Sequence, residues 1–346
     1  MKILLVSPAE LMSTYDVYTG YRNALEKIGV ELCIYDLAAR SNYHKMALGK
    51  FLKKNILYSW QNISELACAD VVYQAFVSQP DWVLIMSGLF FHPNALIALG
   101  RAGFKIAWLF TECPYDDDKQ LFLAKFIHVC IVDDLLSLNI FRKVNRNSIY
   151  LPKACDLERH FKQKSDPKYK SDVIFVGTGF KNRIDLFESI DWENINLKIF
   201  GYWDLKKRSS LKEYLTKAIV RNDEAIKYYS NTEIAINIHR VGNVYSANPR
   251  VYELAATRTF QICDEREEVL NVFGNSVMYF NDAKDLENKI RYFLEHSDKR
   301  NKFIEDAYKI ALKNTFDNRV IDLLGYLEEV TLNGNVAREE WSNLSR

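Results

Sequence analysis

Arg250 and Glu253 stand three positions apart in the stretch SANPRVYELAATRTFQICDE, Ser246 to Glu265, directly after an Asn-Pro pair. Asn248 is a good helix N-cap, because its short side chain reaches an orphan N–H of the first turn. Pro249 suits the first helical position, where a missing N–H costs nothing. A helix is therefore predicted to begin at Pro249. Its first turn carries the positive end of the helix dipole, so the cation of Arg250 is misplaced there unless an anion lies nearby. The competing reading is a solvated ion pair between Arg250 and Glu253 on one helical face, worth about 0.2–0.5 kcal/mol.

Other residues with usable chemistry follow apolar runs. In DVIFVGTGFKNR, Gly177, Thr178 and Gly179 come after a strand, with Lys181 and Arg183 beyond them. Glycines let a backbone approach a phosphate closely, and the helix start that follows offers N–H donors. The run matches neither the dinucleotide fingerprint nor a Walker loop, and a plain tight turn explains it equally well. His239, Arg240 and Gly242 form a polar loop after EIAINIH. In LFTECPYDDD, Glu112 follows a strand; its carboxylate can take a proton from a hydroxyl, or serve as an acidic helix cap beside Asp116 to Asp118. His92, in GLFFHPN, ends another strand and competes for the role of base. No residue is assigned to a metal, since YDDDK has the letters of a metal motif but reads as a helix start.

These residues need elements to hold them. KILLVS, VELCIYDL, DWVLIMSG, KIAWLFTE and HVCIVDD have strand length and near-continuous apolarity, as strands covered on both faces require. Between them lie helical segments at Val17–Ile28, His44–Val77, Pro93–Ala102 and Asp116–Phe126. After a polar, Lys-rich stretch the pattern restarts with DVIFVG, NLKIFG, EIAINIH, TFQICD and SVMYF, alternating with helices such as Asn222–Ser230 and Pro249–Thr257. The expected class is α/β: two doubly wound Rossmann-like domains facing a central cleft, with C-terminal helices. The expected limits are an N-terminal acceptor domain over 1–160, a linker over 161–172, a second domain over 173–325, and a helix end and polar tail over 326–346.

The chain has 346 residues, 48% hydrophobic and 26% charged, which is the composition of a globular protein. Its 46 basic residues nearly balance 45 acidic ones, so no strong general affinity for nucleic acid or an anionic membrane is expected. The opening MKILLVSPAE lacks the apolar core and cleavage site of a secretory signal and no run approaches a membrane span, which together point to the cytoplasm. The six cysteines are scattered in apolar contexts and read as buried free thiols.

From Asn222 onward, the order of a helix with paired Tyr228 and Tyr229, a strand, a polar loop, a capped helix with Arg250 and Glu253, and a strand ending in acids resembles the nucleotide-sugar half of a GT-B glycosyltransferase. The likeness is closest to the CgeB-type (spore maturation) glycosyltransferase family, through AINIHR, NPRVYELAATRTFQICDEREEVLNVF and IRYFLEHSDKRNKFIEDA. It is looser in IMSGLFFHPNALIALGRAGFKIAWLFTECP and IYLPKACDLERHF. The resemblance implies transfer of a sugar from a nucleotide diphosphate donor, a UDP-sugar, to a hydroxyl acceptor. Glu253 would bind the ribose hydroxyls. Arg250, Asn248, Arg240, Lys181, Arg183 and the Gly177–Thr178–Gly179 turn would face the diphosphate, the anion that Arg250 calls for. Glu112 or His92 would be the base. No resident cofactor or catalytic metal is implied, and the acceptor stays open among protein, polysaccharide, small molecule and modified DNA base. Two other readings are a non-catalytic nucleotide-sugar binder and a phage-type enzyme acting on DNA bases. The chain departs from the broader retaining families, which carry a second Glu eight positions before the first and a Gly five after it: here those places hold Tyr245 and Arg258.

Overall fold

The computed structural model describes residues 1–9, 14–51, 58–87, 90–216, 220, 222–242 and 244–333. The chain divides into two compact units, Met1–Pro152 with the chain from Arg319 onward, and Lys153–Asn318.

The first unit alternates β1 (Lys2–Val6), α1 (Thr14–Ile28), β2 (Glu31–Tyr35), α2 (Leu37–Phe51), α3 (Trp60–Ser78), β3 (Trp82–Met86), α4 (Pro93–Arg101), β4 (Ile106–Phe110), α5 (Asp117–Ala124), β5 (Val129–Val132), α6 (Leu135–Val144) and β6 (Ser148–Tyr150). The strands form one sheet in the order β2-β1-β3-β4-β5-β6, every pairing parallel. Parallel sheets take helices on both faces, so the inner strands bury both sides and become continuously apolar. Trp82 to Met86, Ile106 to Phe110 and Val129 to Val132 are all buried, and Trp108 stacks on Phe110 in the core.

The second unit contains β7 (Ser171–Val176), α7 (Lys181–Glu188), β8 (Leu197–Phe200), α8 (Asn222–Ser230), β9 (Thr232–Asn237), α9 (Pro249–Ala256), β10 (Gln261–Asp264), α10 (Glu267–Phe273), β11 (Met278–Phe280), α11 (Ala283–Glu295) and α12 (Ser297–Ala311). Its parallel sheet runs β11-β10-β9-β7-β8. A last helix, α13 (Phe316–Leu332), starts in this unit and continues in the first.

The structure changes several expectations. The helical stretch predicted from His44 to Val77 is two helices, and α3 has its own start: Ser59 Oγ accepts from Asn62 N–H while Asn62 Oδ1 accepts from Ser59 N–H, a capping box. Helix α6 and strand β6 add a sixth strand to the first sheet. The division at Pro152 falls before the polar stretch 161–172, which belongs to the second unit because Gln163 N–H donates to Ser230 Oγ (2.9 Å) and Asp166 N–H to Asn231 Oδ1 (2.8 Å). Residues 319–325, expected in the second domain, belong to the first, where Val320 and Leu323 are fully buried. The helix end expected from 326 runs to Leu332, and the polar tail over residues 334–346 lies outside the described ones. Five of the six free cysteines are buried and Cys33 is half-buried. No helix among the described residues is long and apolar enough to cross a membrane.

Candidate functional site

In the second sheet the chain steps from β7 to β8 on one side, then returns to β9 on the other. The carboxyl ends of β7 and β9 flank this reversal, which is where open α/β sheets bind ligands. The segments that leave them, beginning at residues 177 and 238, carry the Gly-rich turn and the approach to α9.

Helix α9 begins as its sequence requires. Asn248 has extended backbone, its Oδ1 accepts from Val251 N–H (3.2 Å), and Pro249 occupies the first turn. Its Nδ2 donates to Asn237 Oδ1 (2.8 Å) at the end of β9. Both ends of the Asn248 side chain are thus engaged in building the helix start.

Glu253 lies one turn in and is part-buried, not solvated. Burial raises its carboxyl above the ordinary value, while the charges of Arg250 and Arg159 pull it down. Among the described residues its carboxylate accepts no hydrogen bond, whereas its main-chain carbonyl takes the N–H and hydroxyl of Thr257, both at 2.9 Å. Its partial burial sets it apart from the fully solvated ion pair of the competing reading. Arg250 is anchored from behind, its Nε donating to the hydroxyl of the buried Tyr229 (3.0 Å). Sequence reasoning passed over Arg159, whose place beside Glu253 is set by a fold contact across about a hundred residues of chain. Its one sequence signal is a basic residue in the DLERHF loop before the second sheet.

The Gly-rich turn has a packing explanation. A Cβ on Gly179 would meet Trp203 Cδ2 at 2.4 Å, and one on Gly201 would meet the Gly177 carbonyl oxygen at 2.3 Å. Trp203 Nε1 donates to that same carbonyl (2.9 Å). Thr178, between the glycines, is exposed. Arg183 is corrected: its side chain is buried, its guanidinium donates to the carbonyls of Thr178 (2.8 Å) and Ile238, and it lies over Phe175 and Phe180. It clamps the turn to the end of β9 and faces inward. Lys181 is an exposed partner of Asp185 (2.5 Å), an i, i+4 pair on the surface of α7. Arg240 is exposed, with its guanidinium 5.6 Å from the Phe180 ring centroid.

Tyr245, at the position of the missing carboxylate, is buried, and its carbonyl accepts from Glu268 N–H (3.0 Å). Glu268, buried on α10 and unnoticed in the sequence, accepts from Ala247 N–H (2.7 Å) and from the Tyr252 hydroxyl (3.2 Å), which fixes the approach to α9 from the other side. Arg258 adopts φ 52, a left-handed conformation that favours Gly, and its guanidinium pairs with Glu305 (2.9 Å) over the Tyr308 ring.

In the first unit, Glu112 follows β4 and is half-buried, and its carbonyl accepts from the N–H groups of Tyr115 and Asp116. His92 caps α4: its Nδ1 accepts from Asn94 N–H (3.3 Å). The basic nitrogen is thereby occupied, which removes the main reason to prefer His92 as a base.

The family described as "Glycosyl transferase-like" matches residues 183–325, a span that holds β8 to β11 and the whole of α9. The spore protein CgeB of Bacillus subtilis (strain 168) is 22% identical over 265 residues, covering 69% of this chain and 80% of that protein. Among solved structures, Anabaena Alr3699/HepE in complex with UDP-glucose superposes with a TM-score of 0.65 at 12% identity over 94% of this chain and 99% of that one. Sucrose-phosphate synthase from Thermosynechococcus elongatus gives 0.65 at 11% identity over 96% and 99%. A glycosyltransferase from Rickettsia africae ESF-5 gives 0.63 at 13% identity over 95% and 98%. At these identities the likeness is one of fold, the GT-B fold with its two parallel α/β sheets.

Proposed function

We propose that the chain is a CgeB-type glycosyltransferase that moves a hexosyl unit from a UDP-sugar to a hydroxyl acceptor, a reading supported by its similarity to CgeB and by the glycosyl transferase-like match over residues 183–325. The observation that carries this reading is Glu253: a half-buried carboxylate with its value raised by burial, one turn into a capped helix at the sheet's topological switch, beside Arg250 and Arg159. Such a group is costly to keep without a ligand, and ribose hydroxyls would supply the missing donors. The N-terminus of α9 with Arg250 and Arg240 would neutralise the leaving diphosphate, which makes a catalytic metal unnecessary. The HepE neighbour has been solved with UDP-glucose, which supports uracil as the base of the donor. Glu112 is the residue assigned to accept the proton of the acceptor hydroxyl. Thr178 and Gly179 contribute backbone to the diphosphate pocket; Lys181 and Arg183 are left out of it.

A panel of nucleoside diphosphate sugars tests the reading by thermal shift, followed by UDP release from whichever sugar binds. A ligand at a hundred times its Kd raises stability by about 2.7 kcal/mol, so the response is readily seen. No shift with any uridine nucleotide would overturn the donor assignment. A second reading, a non-catalytic binder, draws on Tyr245 standing where retaining relatives place a carboxylate. It predicts the same thermal shift with no UDP release, alone or with acceptors.

A further inference from the structure

The ends of β9 and β10 meet at a buried imidazole. His239 Nε2 accepts the main-chain N–H of Asn248 (3.0 Å). A main-chain N–H can only donate, so Nε2 is the unprotonated nitrogen and Nδ1 carries the hydrogen. Nδ1 then donates to Asp264 Oδ1 (2.7 Å), which also accepts the main-chain N–H of His239 (2.9 Å). Arg266 pairs with Asp264 Oδ2 (2.8 Å). The relay Arg266, Asp264, His239 therefore ends on the N-cap of α9.

Burial lowers the value of His239 against the pull of Asp264, and Arg266 and Lys153 lower it further. Burial alone would raise Asp264, but the His239 hydrogen bonds and Arg266 hold it below the usual carboxylate range. Cys263, with Sγ 4.0 Å from Nδ1, stays a thiol because burial pushes it well up. His239, Cys263 and Asp264 offer ligand atoms within 4.8 Å of one another, the spacing of a cation site. Both imidazole nitrogens are committed to other partners, however, and a protonated thiol is a poor ligand. The hydrogen bonds account for the cluster.

We propose that His239 is a positioning residue: its neutral form fixes the start of α9, and its protonation releases that start and weakens nucleotide binding. An imidazolium would present an N–H at Nε2 to the N–H of Asn248, two donors face to face, and the bond would be lost. The functional half of this proposal rests on α9 as the helix that faces the diphosphate.

Two isosteric variants separate the roles. In His239→Gln the amide oxygen falls near Nε2 and keeps the acceptor for Asn248; in His239→Asn the amide falls near Nδ1 and keeps the link to Asp264 while losing that acceptor. Hydrogen exchange of the Asn248, Arg250 and Val251 amides in the ligand-free chain reads the helix start, and calorimetry with UDP reads the site, each across pH 5 to 8. His239→Asn should lose about tenfold in amide protection and in UDP affinity at pH 8. His239→Gln should stay within about threefold of the parent. Below the ordinary His range near 6.5 the parent should lose protection and affinity beyond the Gln variant, which serves as the baseline for UDP's own titration. Should the Asn variant fail to fold, the parent and the Gln variant carry the comparison alone. Equal protection in parent and variants at every pH would overturn the proposal. Protection that follows the expectation in a chain that does not bind UDP would overturn the donor reading and leave the hold of His239 on α9 established.

Discussion

Glu253 is asked to do two things that oppose each other. Its carboxyl is raised by burial, so across the window from the ordinary Glu value near 4.3 up to the raised value the folded chain holds more protons than the unfolded one. Stability is therefore full below that window and falls as pH rises through it. Glu253→Gln removes this penalty, so the ligand-free variant should melt at or above the parent temperature at pH 7, with a flatter profile between pH 4 and 7. It should also bind UDP more weakly by roughly 1.5–3 kcal/mol, the worth of charge-assisted hydrogen bonds. Loss of melting temperature together with unchanged UDP binding would mean that the carboxylate serves the fold. Two basic residues after the Gly-rich turn should part ways in the same assays. Arg183→Met strips two main-chain carbonyls of a buried donor and should cost roughly 2–4 kcal/mol of stability. Lys181→Ala, on an exposed i, i+4 pair, should stay within about 0.5 kcal/mol with unchanged UDP affinity. The sequence could not separate these two, because a cation two or four places past a glycine reads as a phosphate ligand whichever way it turns.

Elements were legible where one local rule decides them. Trp82–Met86 reads as a strand because both faces are buried and every position is apolar, and α9 starts at Pro249 because Asn-Pro chemistry lies within a few residues. The break before α3 was equally local, in Ser59 and Asn62, but an apolar pattern that runs past it hides the cap. What local rules cannot give is which elements meet. Asp264 follows His239 by 25 residues and reaches it only because β10 lies beside β9, and Arg159 comes to Glu253 only through the packing of the second unit. The turn after β7 shows the same limit, since glycine there suits a phosphate as well as a neighbouring ring. Gly179→Ala decides between them. If Trp203 is the reason for glycine, the added Cβ forces the indole to shift against Phe175 and Phe187, and stability should drop by about 1–3 kcal/mol, with part of it restored by Trp203→Leu in the same chain. A loss of UDP affinity at unchanged melting temperature would instead mark the turn as a phosphate cradle.

At the scale of the whole molecule the chain order and the folded units disagree. Apolar spacing in Val320, Leu323 and Leu327 announces a helix with a buried face, but it says nothing about which sheet that face covers, and proximity in sequence suggested the second for Val320 and Leu323. These residues instead belong to the first unit, where Arg319 Nε donates to the Pro152 carbonyl (2.9 Å) and Lys105 Nζ to Thr331 Oγ1 (3.2 Å). The first unit is thus discontinuous, and the second is a single continuous stretch, Lys153–Asn318. Burying Val320, Leu323, Leu327 and Val330 at about 1.5–3 kcal/mol each contributes roughly 6–12 kcal/mol, comparable with the total stability of an ordinary domain. Residues 1–152 expressed alone should therefore fail to fold cooperatively, with weak near-ultraviolet dichroism and rapid amide exchange in β1 and β3. A peptide spanning 315–333 added in trans should restore the signal in a concentration-dependent way, since ligation stabilises only the folded form. Val320→Asp in the intact chain should lower the melting of the first unit while amides of β9 and β10 keep their protection. Cooperative folding of 1–152 without the peptide would show that α13 is dispensable to the unit it is assigned to.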